Sequence, residues 1–88
     1  MIKFSLGQIV MTVNCMSQIT NEDMTRALDR YVKGDWGITC KEDWHLNDEA
    51  VQMGERVMAT YKAENGTEFW IITEHDRSAT TILLPEDY

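Results

Sequence analysis

Two histidines, two cysteines and fifteen carboxylates are the side chains with chemistry to offer. His75 stands between Glu74 and Asp76, a set from which a carboxylate-oriented general base can be built. The three residues fall at a strand end, however, where neighbours alternate faces and neither acid is directed at the imidazole. A surface turn histidine is the expectation. His45, beside Trp44 and two residues from Asp43, has no metal-ligand spacing to Cys40 or His75, and a structural zinc site takes four ligands. Cys15 and Cys40 are expected as small core residues. Ser78, Thr80 and Thr81 bring hydroxyls without a base, and no glycine-rich phosphate loop is present. No catalytic residue, metal ligand or cofactor is therefore expected, and the chain does not read as an enzyme.

The carboxylates themselves are what remains. Fifteen acidic residues against eight basic give a formal net charge of −7 over 88 residues. Such a field repels nucleic acid and favours basic partners, although a charge of this size also serves solubility. The acids fall into two groups. Glu22, Asp23 and Asp29 lie in one helical stretch; Glu42, Asp43, Asp48, Glu49 and Glu55 lie in another, opposed there only by Lys41. Set side by side, the two helices would form one negative surface. That surface would compete for the Lys and Arg side chains with which a DNA-binding groove neutralises phosphates. Trp36, in the turn Gly34-Asp35-Trp36-Gly37, reads as a plug for a small core or as an exposed aromatic anchor at an interface, where Trp is enriched.

The elements that must position these residues follow from periodicity and turn chemistry. A chain of this length makes one domain with a modest core. Residues 56–63 and 68–74 are strand-like runs separated by Asn65-Gly66, the pair favoured in a two-residue type I′ hairpin turn. With that loop, Tyr61 faces Trp70 and Ala59 faces Ile72 on one side, while Thr60 faces Ile71 and Lys62 faces Phe69 on the other. Residues 80–84 make a third strand, stopped by Pro85. Trp70, Ile72 and Leu83 share one face of these strands; Phe69, Ile71, Ile82 and Leu84 share the other. Upstream, Ile2, Phe4 and Leu6 alternate with Lys3 and Ser5, Gly7 marks a bulge or bend, and residues 8–13 form a strand. Residues 14–19 have no clear period and read as a loop.

Residues 20–33 carry the clearest helix signal. Thr20 is placed to cap it, Asp23 completes a capping box, and Met24, Ala27, Leu28, Tyr31 and Val32 form one apolar stripe closed by Gly34. A second helix is expected to start at Asn47 as N-cap and stop at Gly54, with Leu46 and Val51 as a hydrophobic staple and residues 41–45 as a separate turn. The expected fold is α+β: an antiparallel sheet of three to four strands, with two helices between an N-terminal strand and a C-terminal three-stranded meander. Two unpatterned cysteines and the lack of an apolar leader point to the reducing cytoplasm.

The segments Gly34-Asp35-Trp36-Gly37, Glu42-Asp43-Trp44, Asn47-Asp48, Gly54-Glu55-Arg56, Trp70-Ile71-Ile72-Thr73-Glu74, Asp76-Arg77-Ser78 and residues 80–88 (TTILLPEDY) carry a resemblance. Over residues 4–13 and 34–88 the chain resembles a family of small proteins of bacterial mobile elements and phages that are associated with restriction systems. That family has Arg-His ahead of the Gly-Asp-Trp-Gly turn; here Arg30-Tyr31 precedes it at a different distance. In size and acidity the chain is also similar to anti-CRISPR proteins, several of which resemble DNA. The resemblance implies a non-enzymatic inhibitor, monomeric in the host cytoplasm. Its partner would be the basic DNA-binding subunit of a CRISPR (type I) or restriction complex. The alternative is a mobile-element accessory protein that binds its partner through an apolar sheet face or Trp36.

Overall fold

The structure, a computed structural model, describes residues 4–88, so the alternation expected at Ile2 and Lys3 lies outside the described residues. The chain is α+β. In order it forms β1 (Gln8–Met11), α1 (Val13–Gln18), α2 (Asn21–Tyr31), α3 (Lys41–Met53), β2 (Val57–Lys62), β3 (Glu68–Thr73) and β4 (Ala79–Leu83), ending in a short 3-10 turn, Pro85–Asp87. The strands make one sheet in the order β1-β4-β3-β2. β2, β3 and β4 run antiparallel as a meander, but β1 pairs parallel to β4, so the sheet is mixed rather than antiparallel throughout.

The hairpin register differs from the expected one by one residue. Tyr61 pairs with Phe69, Thr60 with Trp70 and Ala59 with Ile71. The cause is a three-residue loop. The Gly66 amide donates to the Ala63 carbonyl and the Ala63 amide to the Thr67 carbonyl, both at 2.8–2.9 Å. Gly66 takes a positive φ of 92° while Asn65 does not. This is a type I turn followed by a left-handed glycine, the arrangement that closes three-residue hairpins with a bulge. Asn65 has other uses: its side chain accepts from the Thr67 amide and donates to the Gln18 carbonyl. The expected groupings on β3 and β4 hold. Phe69, Ile71 and Ile82 are buried on the helical side with Ala59 and Tyr61, while Ile72 and Leu83 are buried on the other.

The helices pack on the first of these faces. Tyr31, Trp36, Ala27, Ala50 and Cys15 join the strand residues in a single cluster, with Phe4, Trp44 and Val51 at its margin. Inside it a hydrogen-bonded chain runs across four segments. The Thr80 hydroxyl donates to the Leu6 carbonyl at 2.7 Å and so accepts from Thr73, which in turn accepts from the Tyr31 hydroxyl, each at 2.8 Å. The carbonyl at the end can only accept, and that fixes the direction of every donor in the row. Burial raises the Tyr31 pKa above the ordinary tyrosine value, so the donor keeps its proton. On the opposite face the C-terminal segment folds back. Tyr88 meets Trp70 edge-on at 5.5 Å between centroids, and the Arg56 guanidinium lies over the Tyr88 ring.

Three α-helices form among the described residues where two were expected. α1 occupies residues read as a loop; Thr12 caps it by accepting from the Cys15 amide. α2 starts as anticipated, with the Thr20–Asp23 capping box formed. Its regular hydrogen bonding ends at Tyr31, and Gly34 and Asp35 close it by donating to Tyr31 and Arg30. α3 is one continuous helix from Lys41, not a turn followed by a helix capped at Asn47. Gly7 supplies the expected bend. It has a φ of 63°, and a Cβ there would collide with the backbone of Arg77 and Ser78.

Candidate functional site

The acidic residues separate by helix. On α2, Asp23 is buried: its carboxylate accepts from the Thr20 and Glu64 amides and lies 3.4 Å from Arg26. The Thr20 amide, foremost, holds its pKa below the usual carboxylate value. Asp23 is thus a structural cap that ties α2 to the hairpin loop, not a surface acid. Asp29 pairs with Lys33 at 3.1 Å, one turn away. Arg26 also reaches Glu64 at 3.6 Å, and Arg30 grips Asp35 through two hydrogen bonds of 2.9 and 3.2 Å, which depresses the Asp35 pKa. Between residues 20 and 33 there are three acids and three bases. α2 therefore carries little net field, and the continuous two-helix surface expected from the sequence is not formed. Glu22 is exposed beside Arg26.

α3 is different. Glu42, Asp43, Asp48, Glu49 and the adjacent Glu55 are all exposed, and none makes an ion pair among the described residues. At 100° per residue Glu42 and Glu49 lie on the outward face, two turns apart. Asp43 and Glu55 line a groove between α3 and β2, with Leu46, Arg56 and Met58. Asp48 lies on the far side of the helix, where its carboxylate accepts the Trp36 indole N–H at 2.9 Å. The acids wrap part of the helix rather than forming a single row.

Trp36 is fully buried, meeting Tyr31 edge-on at 5.4 Å. It is the plug of the core and not an exposed anchor: its apolar ring is gathered into the aromatic cluster and its one donor is satisfied by Asp48. Asn47, expected as a helix cap, is buried inside α3. Its amide donates to the Met58 carbonyl at 2.7 Å and accepts from the Met58 amide at 3.2 Å. It thereby imitates a neighbouring strand along the free edge of β2. Thr39 and Ile38 continue that cover at Thr60.

Sequence reasoning missed the apolar component of this region. With α3 starting at Lys41, Leu46 falls mid-helix and outward, 61% exposed, and Met53 is 73% exposed. The staple with Val51 is absent. The signal was available in the phase of Trp44, Asn47, Ala50 and Val51, which are spaced to share the inward face.

His75 is exposed in the β3–β4 turn, and the Asp76 carboxylate there accepts from the Ser78 amide. His45 is exposed on α3. Cys15 is buried, and desolvation, with Asp87 as a lesser cause, pushes its thiol up to about 11; Cys40, expected in the core, is exposed. Among the described residues no three His, Cys, Asp or Glu side chains converge as metal ligands, and no helix is long and apolar enough to cross a membrane. The chain matches no family model, no curated protein and no solved structure.

Proposed function

We infer that the protein is a non-enzymatic inhibitor that presents α3 to a Lys/Arg-lined nucleic-acid-binding site of a bacterial defence complex. It would act there as an acidic stand-in for DNA, in the manner of anti-CRISPR proteins. The observation that carries this reading is the contrast between α2, where Asp23 is capped, Asp29 is paired and Glu22 alone is left open, and α3, whose acids are exposed and form no ion pair among the described residues. Over a 13-residue helix, about 20 Å long at ~1.5 Å per residue, the three carboxylates not engaged by Trp36 (Glu42, Asp43 and Glu49) give roughly one charge per 7 Å. One strand of DNA carries one per ~3.4 Å. The helix thus carries about half the charge density of a single strand. The working compartment in this reading is the host cytoplasm.

The test is interference by the chain in bacteria with an active type I CRISPR or restriction system, read as phage plating. Wild type should restore plating. The triple reversal Glu42→Lys, Asp43→Lys and Glu49→Lys should abolish the effect while leaving the circular dichroism spectrum unchanged. Asp48 is left out because it holds Trp36. Equal protection by the reversed protein would sink the reading. Partner binding should also fall steeply with added salt.

A second reading is supported by Leu46 and Met53, large apolar side chains left uncovered on the acidic helix. Here the chain is an accessory protein that docks through apolar contact, and charge serves only solubility. Binding would then survive high salt and be lost on Leu46→Asp.

A further inference from the structure

The two edges of the sheet are treated differently. β2 is sealed: Asn47, Thr39 and Ile38 satisfy the outward backbone groups of Met58 and Thr60. β1, at the other edge, has no such cover among the described residues. The amides of Gln8 and Thr12 donate to Ser78 and Ile82 of the β4 side. Since strand residues alternate between their two neighbours, the N–H and C=O groups of Ile9 and Met11 point away from β4. No residue outside the sheet bonds to them among the described residues. Ile9 is 47% and Val10 39% exposed, and Val13, 81% exposed, continues the apolar surface into α1.

Sheet edges of this kind are ordinarily guarded by a charge, a proline or a bulge. This one has none of these. In a chain with a net charge of −7, no charged residue occurs between Lys3 and Glu22. The segment that leaves strand hydrogen bonds open carries no charge of its own, and the Asp87 carboxylate beside its end is taken up by the Thr12 hydroxyl and the Asn14 side-chain amide at 2.6 and 2.8 Å.

We propose that β1 is the interface of a symmetric homodimer, in which two β1 strands pair antiparallel across a two-fold axis. The register follows from which groups face outward. Only Ile9 and Met11 can bond across the edge, so centring the axis on Val10 places Ile9 opposite Met11 of the partner subunit, and the reverse. Both pairs then exchange two hydrogen bonds, giving four, with Val10 against its own copy in the close, non-hydrogen-bonded position. The two four-stranded sheets become one of eight. α3, on the far side beyond β2, stays free in both copies, so this proposal stands or falls separately from the acidic-helix reading.

Sedimentation equilibrium in reducing buffer tests it. Wild type is expected at twice the 10.2 kDa chain mass, and association should tighten as salt rises, because screening weakens the repulsion between two acidic copies. Partner binding by α3 has the opposite salt dependence. Val10→Lys places two ammonium groups against each other at the axis and should give a monomer with an unchanged far-UV spectrum. Ile9→Pro should do the same by a different route, since the amide it removes faces away from β4. Met53→Lys, on α3, should remain dimeric. In hydrogen exchange, the Ile9 and Met11 amides should be protected in wild type and fast in Val10→Lys. A wild type that sediments as a monomer at every concentration overturns the proposal. So does a Val10→Lys protein that remains a dimer, which would put the interface elsewhere.

Discussion

α2 and α3 look alike in sequence: each is a helix with carboxylates in and around it. In the folded protein they differ in what stands one turn away. α2 alternates its acids with Arg26, Arg30 and Lys33, and the pairs close at 2.9–3.4 Å. α3 has only Lys41 to set against its four acids, and none of them forms an ion pair among the described residues. The difference teaches that a count of acids says little about a surface field. The cations at i±3 and i±4 decide which helix projects it, even though each exposed pair adds little to stability.

The two helices are also anchored differently, and this orders the ways to break them. Trp36→Ala should have the largest effect. It empties the centre of the aromatic cluster and frees Asp48, and should cost about 3–5 kcal/mol in urea unfolding, a large part of the ~5–15 kcal/mol available to such a domain. Asn47→Ala comes next. It strips both hydrogen bonds from Met58 and should cost about 2 kcal/mol, with faster exchange of the Met58 amide marking the opened β2 edge. Asp23→Ala leaves the Thr20 cap but removes the carboxylate that accepts from the Thr20 and Glu64 amides, and should cost about 1–2 kcal/mol. The Asp23 pKa lies below its unfolded value, so its stabilisation is present above the ordinary carboxylate pKa and lost as pH falls through the folded one. Wild type and Asp23→Ala should therefore converge in stability on going from about pH 7 to below pH 3. Lys33→Met should change stability by no more than ~0.5 kcal/mol. It releases Asp29, and a binding change comparable to that of the α3 reversals would move the functional surface back towards α2.

The parts of this fold that were legible in the sequence rest on local chemistry. The Thr20–Asp23 capping box, the stripe from Met24 to Val32 and the stop at Pro85 are each set by residues within a turn or two of one another, and each forms. The misreadings arise where distant groups compete for the same side chain. Asn47 and Asn65 are both good local signals, for a cap and for a type I′ turn. In the fold one seals the β2 edge and the other bonds the Gln18 carbonyl and the Thr67 amide. The register slips by one residue as a result. α1 was hidden because its six residues are too few to show a period, and it has one buried side chain, Cys15. The parallel pairing of β1 with β4 leaves no mark within either strand. At the candidate site the acids were identified, but their neutralisation on α2 and the outward turn of Leu46 depend on geometry that composition does not report.

The union of β1 with β4 bears on how the chain reaches this shape. Its partners, Gln8 with Ala79 through Met11 with Ile82, are separated by most of the polypeptide, and the clasp of Asp87 on Thr12 and Asn14 spans a similar distance. Loops of that length close slowly. The β2–β3 hairpin can assemble on its own, but β1 must wait until β4 has been made for the strand that receives it. During that interval Ile9, Val10 and Met11 have no neighbour on either side. The exposed apolar edge of β1 is thus a folding liability that is relieved only when β4 is in place.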